Sequence, residues 1–176
     1  MVTKTRSREL KAASLRALRI ALWVIAAAAV VVFLGVLAYV TLTPLPGATA
    51  QATGNTHPGW SIRFYLDNPD IRSVIIELGG NLLLLAPLGV LLPLLDPRLQ
   101  HWYTVTLVCA VISAGIEVFQ GLFVVGRAFD IDDLILNTVG ALLAYLVIGR
   151  RLGRFSAHLR AATKRLRRKR SRRARG

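Results

Sequence analysis

Glu77, Asn81, Glu117, Gln120, Arg127, Asp130, Asp133 and Asn137 stand within long apolar runs or at their ends. Ionisable and amide side chains in such runs are costly, and by default they mark functional sites. Their types define a chemistry. A guanidinium offers a planar fork to a phosphate or carboxylate. Amides both donate and accept hydrogen bonds. Carboxylates hold the guanidinium in place or share a hard divalent cation with a phosphate. Once burial raises a pKa, they can also exchange protons with a substrate. All eight are candidate ligand-binding residues. Glu117, Asp130 and Asp133 are the catalytic candidates, and a divalent cation is the one cofactor this set suggests.

The spacing groups them. Glu77 and Asn81 are i,i+4, and Glu117 and Gln120 are i,i+3. Asp130, Asp133 and Asn137 follow i, i+3, i+7, so each set shares one helix face. Gly140, Ala141 and Ala144 continue the last face with small residues that let helices approach closely. Gly79, Gly80, Ala114 and Gly115 are expected to do the same near the other polar positions. Asp132 falls off the stripe and is read as a helix-start carboxylate that satisfies free N–H groups. Plainer roles stand beside the functional ones. Asn81, Gln120 and Asn137 serve equally as hydrogen-bond glue between helices, and Arg127 with Glu117 or an aspartate as a structural lock. His57, His101 and His158 are isolated and show no metal spacing. Cys109 is the single cysteine, so no intramolecular disulfide forms, and its apolar run predicts a small buried hydrophobe.

The elements that must position these groups follow from composition. The chain has 176 residues, 54% of them hydrophobic, with mean hydropathy +0.52. A soluble domain is about 45–50% apolar. The net charge is +14, but the basic residues sit in two tails. Residues 1–19 carry six basic side chains and 150–176 carry thirteen, whereas the 130 residues between carry four against eight acidic. That pattern excludes a soluble globular protein and a disordered chain.

Membrane helices need roughly 20 apolar residues, and backbone in lipid must satisfy its own hydrogen bonds. The expected fold is therefore all-α, a polytopic four-helix transmembrane bundle. The spans fall at 18–41, 74–95, 102–123 and 134–149, the last extending upstream through 129–133. Between them lie the loops 42–73 and 124–133 and the turn 96–101. The basic tails are 1–17 and 150–176. Ala48-Thr49-Ala50 after a basic leader resembles a signal-peptide cleavage site, but signal cores run about 7–15 residues, and this first run is longer. An uncleaved span is expected.

Lysine and arginine counts set the orientation. Both tails are cytoplasmic, 42–73 and 124–133 lie outside, and 96–101 lies inside. All the polar span residues then fall in the outer half, within roughly 5–10 Å of its boundary at 1.5 Å per residue. The basic tails are expected to meet anionic lipids of the inner leaflet. Nucleic acid is an unfavoured partner, because the tail has no aromatic residue after Phe155 on which bases would stack.

Two segments resemble a known family. ELGGNLLLLAPLGVLLPLL (77–95) and SAGIEVFQGLFVVGRAFDIDDLILNTVGALLAY (113–145) look like the motifs of the VanZ-like family of small bacterial membrane proteins. The matching residues are Asn81, Pro87 and Gly89, then Glu117, Gln120, Arg127, Asp130, Asp133, Asn137 and Gly140. The resemblance covers roughly 74–149. It implies four or five helices, a multi-pass plasma-membrane location and a link to the cell envelope. The family's founding association is resistance to the glycopeptide antibiotic teicoplanin. The resemblance supplies no reaction.

Three functions remain open. The first is an outward-facing polar pocket that binds or acts on an envelope component, such as an anionic lipid or a lipid-linked wall precursor. The second is a membrane-embedded acid/base hydrolase of a lipid ester or phosphoester, although no G-x-S-x-G, HExxH or P-loop occurs. The third is a structural membrane subunit without a ligand.

Overall fold

The computed structural model describes residues 2–44, 47–48, 50, 53–67 and 70–173, with side chains described between residues 10 and 166. Among these residues every regular element is a helix, and one isolated bridge joins two loops. Thr49, in the cleavage-like tripeptide, lies outside the described residues, as do 174–176 of the basic tail.

Helix α1 runs Val2–Leu42, well upstream of the expected span start at 18. Its first half is rich in Ala, Leu, Lys and Arg, all good helix formers, so the charged leader continues the helix. The short helix α2 (Trp60–Leu66) lies in the first long loop. The second span, Ile71–Leu95, is broken. It comprises α3 (Ile71–Val74), a π turn (Ile75–Gly79), α4 (Gly80–Leu84) and α5 (Ala86–Leu95). The break falls at Leu85, whose ψ is 2°, because Pro87 has no N–H to give the preceding turn. Pro97–Gln100 forms a 3-10 turn, capped where Asp96 accepts the Arg98 N–H at 2.7 Å. Helix α6 is Trp102–Phe123. The last span comprises α7 (Ile131–Ala144), a π turn (Tyr145–Gly149) and α8 (Arg150–Arg173). It does not stop at Gly149, because Arg, Leu and Ala carry the helix on into the basic segment.

Helix α7 is central, packed on α4, α5 and α6, while α1 rests against α5 and α8. Its approach to α4 and α5 is backbone on backbone. A Cβ on Gly140 would sit 1.6 Å from the Leu82 carbonyl oxygen, and one on Gly89 2.1 Å from that of Ala141. The expected close packing at Gly140 is therefore present. It is absent at Gly80 and Gly115, where a Cβ would meet nothing within 4 Å. Being small permits a contact but does not create one.

Leu85, Leu88, Val105, Cys109 and Ala141 form the dry interior, and Cys109 is fully buried, as its apolar run predicts. The outer surface is apolar too. Val31 is 70% exposed, Leu83 68% and Leu107 65%. Large apolar surfaces of this kind are not left to water. Four helices are long and apolar enough to cross a membrane, and these side chains face lipid.

Candidate functional site

The site lies at the end of the bundle where α6 hands over to α7, here called the loop end. Residues 124–130 leave α6, turn at Gly126 (φ +83°) and run to Asp130, the N-cap of α7. The first long loop comes back to meet this strap. Asn55 donates its N–H to the Phe129 carbonyl at 2.8 Å, and its own carbonyl accepts the Ile131 N–H at 3.0 Å. The loop is thus pinned to the start of α7 across 75 residues of sequence.

Side chains reinforce the pin. Asn55 Nδ2 donates to Ser61 Oγ and to Asp130 Oδ1, both at 3.0 Å. Ser61 Oγ donates to Asp130 Oδ2. Asp130 also accepts the Asp132 N–H at 2.8 Å, so it caps α7 as its position at the helix start implies. Glu117, only 2% exposed, accepts the Asp130 N–H at 3.0 Å. Asp132 departs from expectation. It is fully buried and caps a different helix, accepting the N–H groups of Gly59 at 2.6 Å, Ser61 at 2.8 Å and Ile62 at 3.3 Å. The first residue of α2 follows Gly59, which carries no side chain to cap it. Its free N–H groups need an acceptor from elsewhere, and Asp132 supplies one.

The eight predicted residues divide. Glu117, Asp130, Asp133, Asn81 and Glu77 gather at the loop end. Asn81 Nδ2 donates to Asp133 Oδ1. Glu77 is exposed and acts electrostatically on both Asp133 and Tyr65. Gln120 instead turns to α1 and donates to the Thr41 carbonyl at 2.8 Å. Asn137 is fully buried one layer deeper and donates to Ser113 Oγ at 3.0 Å. Its Oδ1 has no partner among the described residues. Arg127 directs Nη2 to the Val40 carbonyl at 3.3 Å, near the C-terminus of α1, where a cation complements the helix dipole. Its charge acts also on Glu117 and Asp133.

Asn55, Ser61 and Tyr65 were not legible as site residues. The signal that could have found Ser61 is the uncapped helix start at Gly59-Trp60-Ser61. Tyr65 lies on the inner side of α2, and burial together with Glu77, Asp133 and Asp130 raises its hydroxyl pKa above the ordinary 10.0. It is therefore a neutral donor at physiological pH. Outside this cluster, Asp70 is held below the usual carboxylate range by the Ser73 hydroxyl and the Arg72 N–H. Among the described residues, no group of three or more His, Cys, Asp or Glu side chains is placed to hold a metal ion. Glu117, Asp130, Asp132 and Asp133 instead face N–H and amide donors.

A bundle of membrane-length helices, apolar outside, with most of its carboxylates gathered at one end, defines a polytopic α-helical membrane protein. The VanZ/LLP1 family matches residues 30–152, more than half of the chain, and the protein belongs to that family. No curated protein and no solved structure matches it.

Proposed function

We propose that the loop end faces outward and binds the polar head of a cell-envelope component, with a lipid-linked wall precursor as the best candidate. One observation carries this reading. Within a single layer, Asp130, Asp132 and Glu117 each accept N–H groups, whereas the Glu77 carboxylate is exposed, one helical turn before Asn81, and acts electrostatically on Asp133 and Tyr65. The layer has a saturated inner part that holds the loop and an outer part open to a ligand. Carboxylate, carboxamide and phenol together suit the hydroxyls, amides and amines of a sugar–peptide head group. The positive charge of Arg127, anchored on the Val40 carbonyl, would draw a phosphate toward this end of the bundle. Binding at such a site would link the protein to glycopeptide resistance, because those drugs act on the same class of precursor.

A structural subunit without a ligand is the second reading, and the saturation of Asp130, Asp132 and Glu117 favours it. A paired measurement separates the two. The purified protein in lipid nanodiscs, carrying Trp23→Phe and Trp102→Phe so that Trp60 on α2 is the one fluorescent indole, is titrated with a short-chain lipid-linked disaccharide peptide. Binding is followed by the Trp60 fluorescence. Glu77→Gln should abolish binding and leave the melting temperature unchanged. Asp132→Asn should lower the melting temperature. Unaltered binding by Glu77→Gln would sink the pocket and leave the structural reading.

A further inference from the structure

At the opposite end of the bundle, α1, α5 and α8 enclose a cleft of about 380 Å³. This is within the range of roughly 300–1,000 Å³ that small ligands occupy. Its charged members are Arg19 from α1 and Arg160 from α8, and no acidic side chain lines it. Arg160 is held in place. Its Nη2 donates to the carbonyls of Leu94 at 3.0 Å and Leu95 at 3.3 Å, the last carbonyls of α5. Those are acceptors that a helix end leaves open. A guanidinium carries five donors, so fixing Nη2 orients the rest of the group without exhausting it. Ser156, 6% exposed, adds a hydroxyl. The remaining wall is apolar, with Leu94, Leu159 and Trp23, the last of these 52% exposed.

The depth of the cleft matters. Leu95 ends the second membrane-length helix, and Arg19 stands where the apolar run of α1 begins. The cationic mouth is therefore at head-group level and the apolar wall faces the acyl region. Basic pockets between helices at this depth suit acidic lipid head groups, and a tryptophan at the boundary is a common interfacial anchor.

We propose that this cleft is a stoichiometric site for one acidic phospholipid of the leaflet on the tail side. Its phosphate is held between Arg19 and Arg160, and an acyl chain lies along Trp23 and Leu94. The site differs from the diffuse attraction of the basic tail, because it combines a guanidinium fixed on the end of α5 and a second from α1 with an apolar wall. It is also independent of whatever the loop end binds.

The experiment is native mass spectrometry of the full chain, released from nanodiscs of phosphatidylcholine containing graded phosphatidylglycerol. The wild type should retain one phosphatidylglycerol per chain in preference to phosphatidylcholine. Arg19→Gln, which leaves the Arg160 contacts to α5 intact, should weaken retention about five-fold or more, the weight of one basic group near an anionic partner. Trp23→Ala should weaken it as well. Lys164→Gln with Arg165→Gln, on the tail outside the cleft, should leave it unchanged. The proposal is overturned if the wild type shows no preference or if Arg19→Gln retains lipid normally. It also falls if only the tail changes matter, or if inorganic phosphate displaces the lipid at equal concentration.

Discussion

The Asp132 carboxylate accepts the backbone N–H of Ser61 at 2.8 Å, across 71 residues of sequence. With its bonds to Gly59 and Ile62, this buried side chain fastens α2 to the head of α7. Replacing it with alanine leaves three N–H groups without their acceptor in a place water does not freely reach. Asp132→Ala should cost about 3 kcal/mol and loosen the start of α2, while Asn55 still ties the loop to the strap. Hydrogen exchange at Ser61 and Ile62 checks this. Protection equal to wild type would show that the latch does not hold the start of α2.

Gly140 tests the packing between α7 and α4. A Cβ there falls 1.6 Å from the Leu82 oxygen, so Gly140→Ala must push two backbones apart. The expected loss is at the upper end of about 1–3 kcal/mol, the range for overpacking. Gly115→Ala meets nothing within 4 Å and should be neutral or slightly stabilising, since alanine favours the helix. Thermal unfolding of both variants in one detergent gives the comparison. Equal melting temperatures would refute the backbone contact.

These glycines show where sequence reading stops. Both sit in apolar helices among small neighbours, and only the three-dimensional path of α4 tells them apart. The four spans were legible because three apolar runs are long enough to decide their own structure and the fourth reaches that length once extended upstream. Glu117, Asp130, Asp133 and Asn81 were legible as a group because helical spacing and a shared depth bring them together. Gln120 was legible as polar but not as a partner of α1, since its acceptor is the Thr41 backbone and carries no sequence signal. Asn55 and Ser61 were missed for a related reason. Their partners lie 75 and 69 residues away, and loop residues of these types are common turn formers.

Tyr65 gives a pH signature. Its folded-state pKa is raised above 10.0 by burial and by the neighbouring carboxylates. Between the unfolded and the folded value, the native state holds more protons than the unfolded state. Its contribution to stability is therefore present below about pH 10 and is lost as pH rises through the folded pKa. Tyr65→Phe should unfold at a similar temperature to wild type at pH 7, and should lose less stability than wild type above pH 10. Parallel alkaline melting curves would show that burial and the neighbouring carboxylates do not raise the Tyr65 pKa.

Orientation decides whether the loop end can meet an envelope component at all. The basic residues of both tails favour the cytoplasm, and four spans bring the two ends of the chain to one side. Cysteine labelling in intact cells tests this. Native Cys109 is fully buried and gives little background. Thr56 is an exposed loop position, and it is preferable to Gly54, where a Cβ would press on the Phe129 carbonyl oxygen at 3.1 Å. Arg154 is exposed on α8, and losing one of thirteen basic tail residues leaves the charge bias in place. Thr56→Cys should react with a membrane-impermeant maleimide in intact cells, and Arg154→Cys only after permeabilisation. The reverse pattern would turn the Glu77 face toward the cytoplasm and the Arg19–Arg160 cleft toward the outer leaflet. It would also remove the lipid-linked wall precursor as a ligand of the loop end.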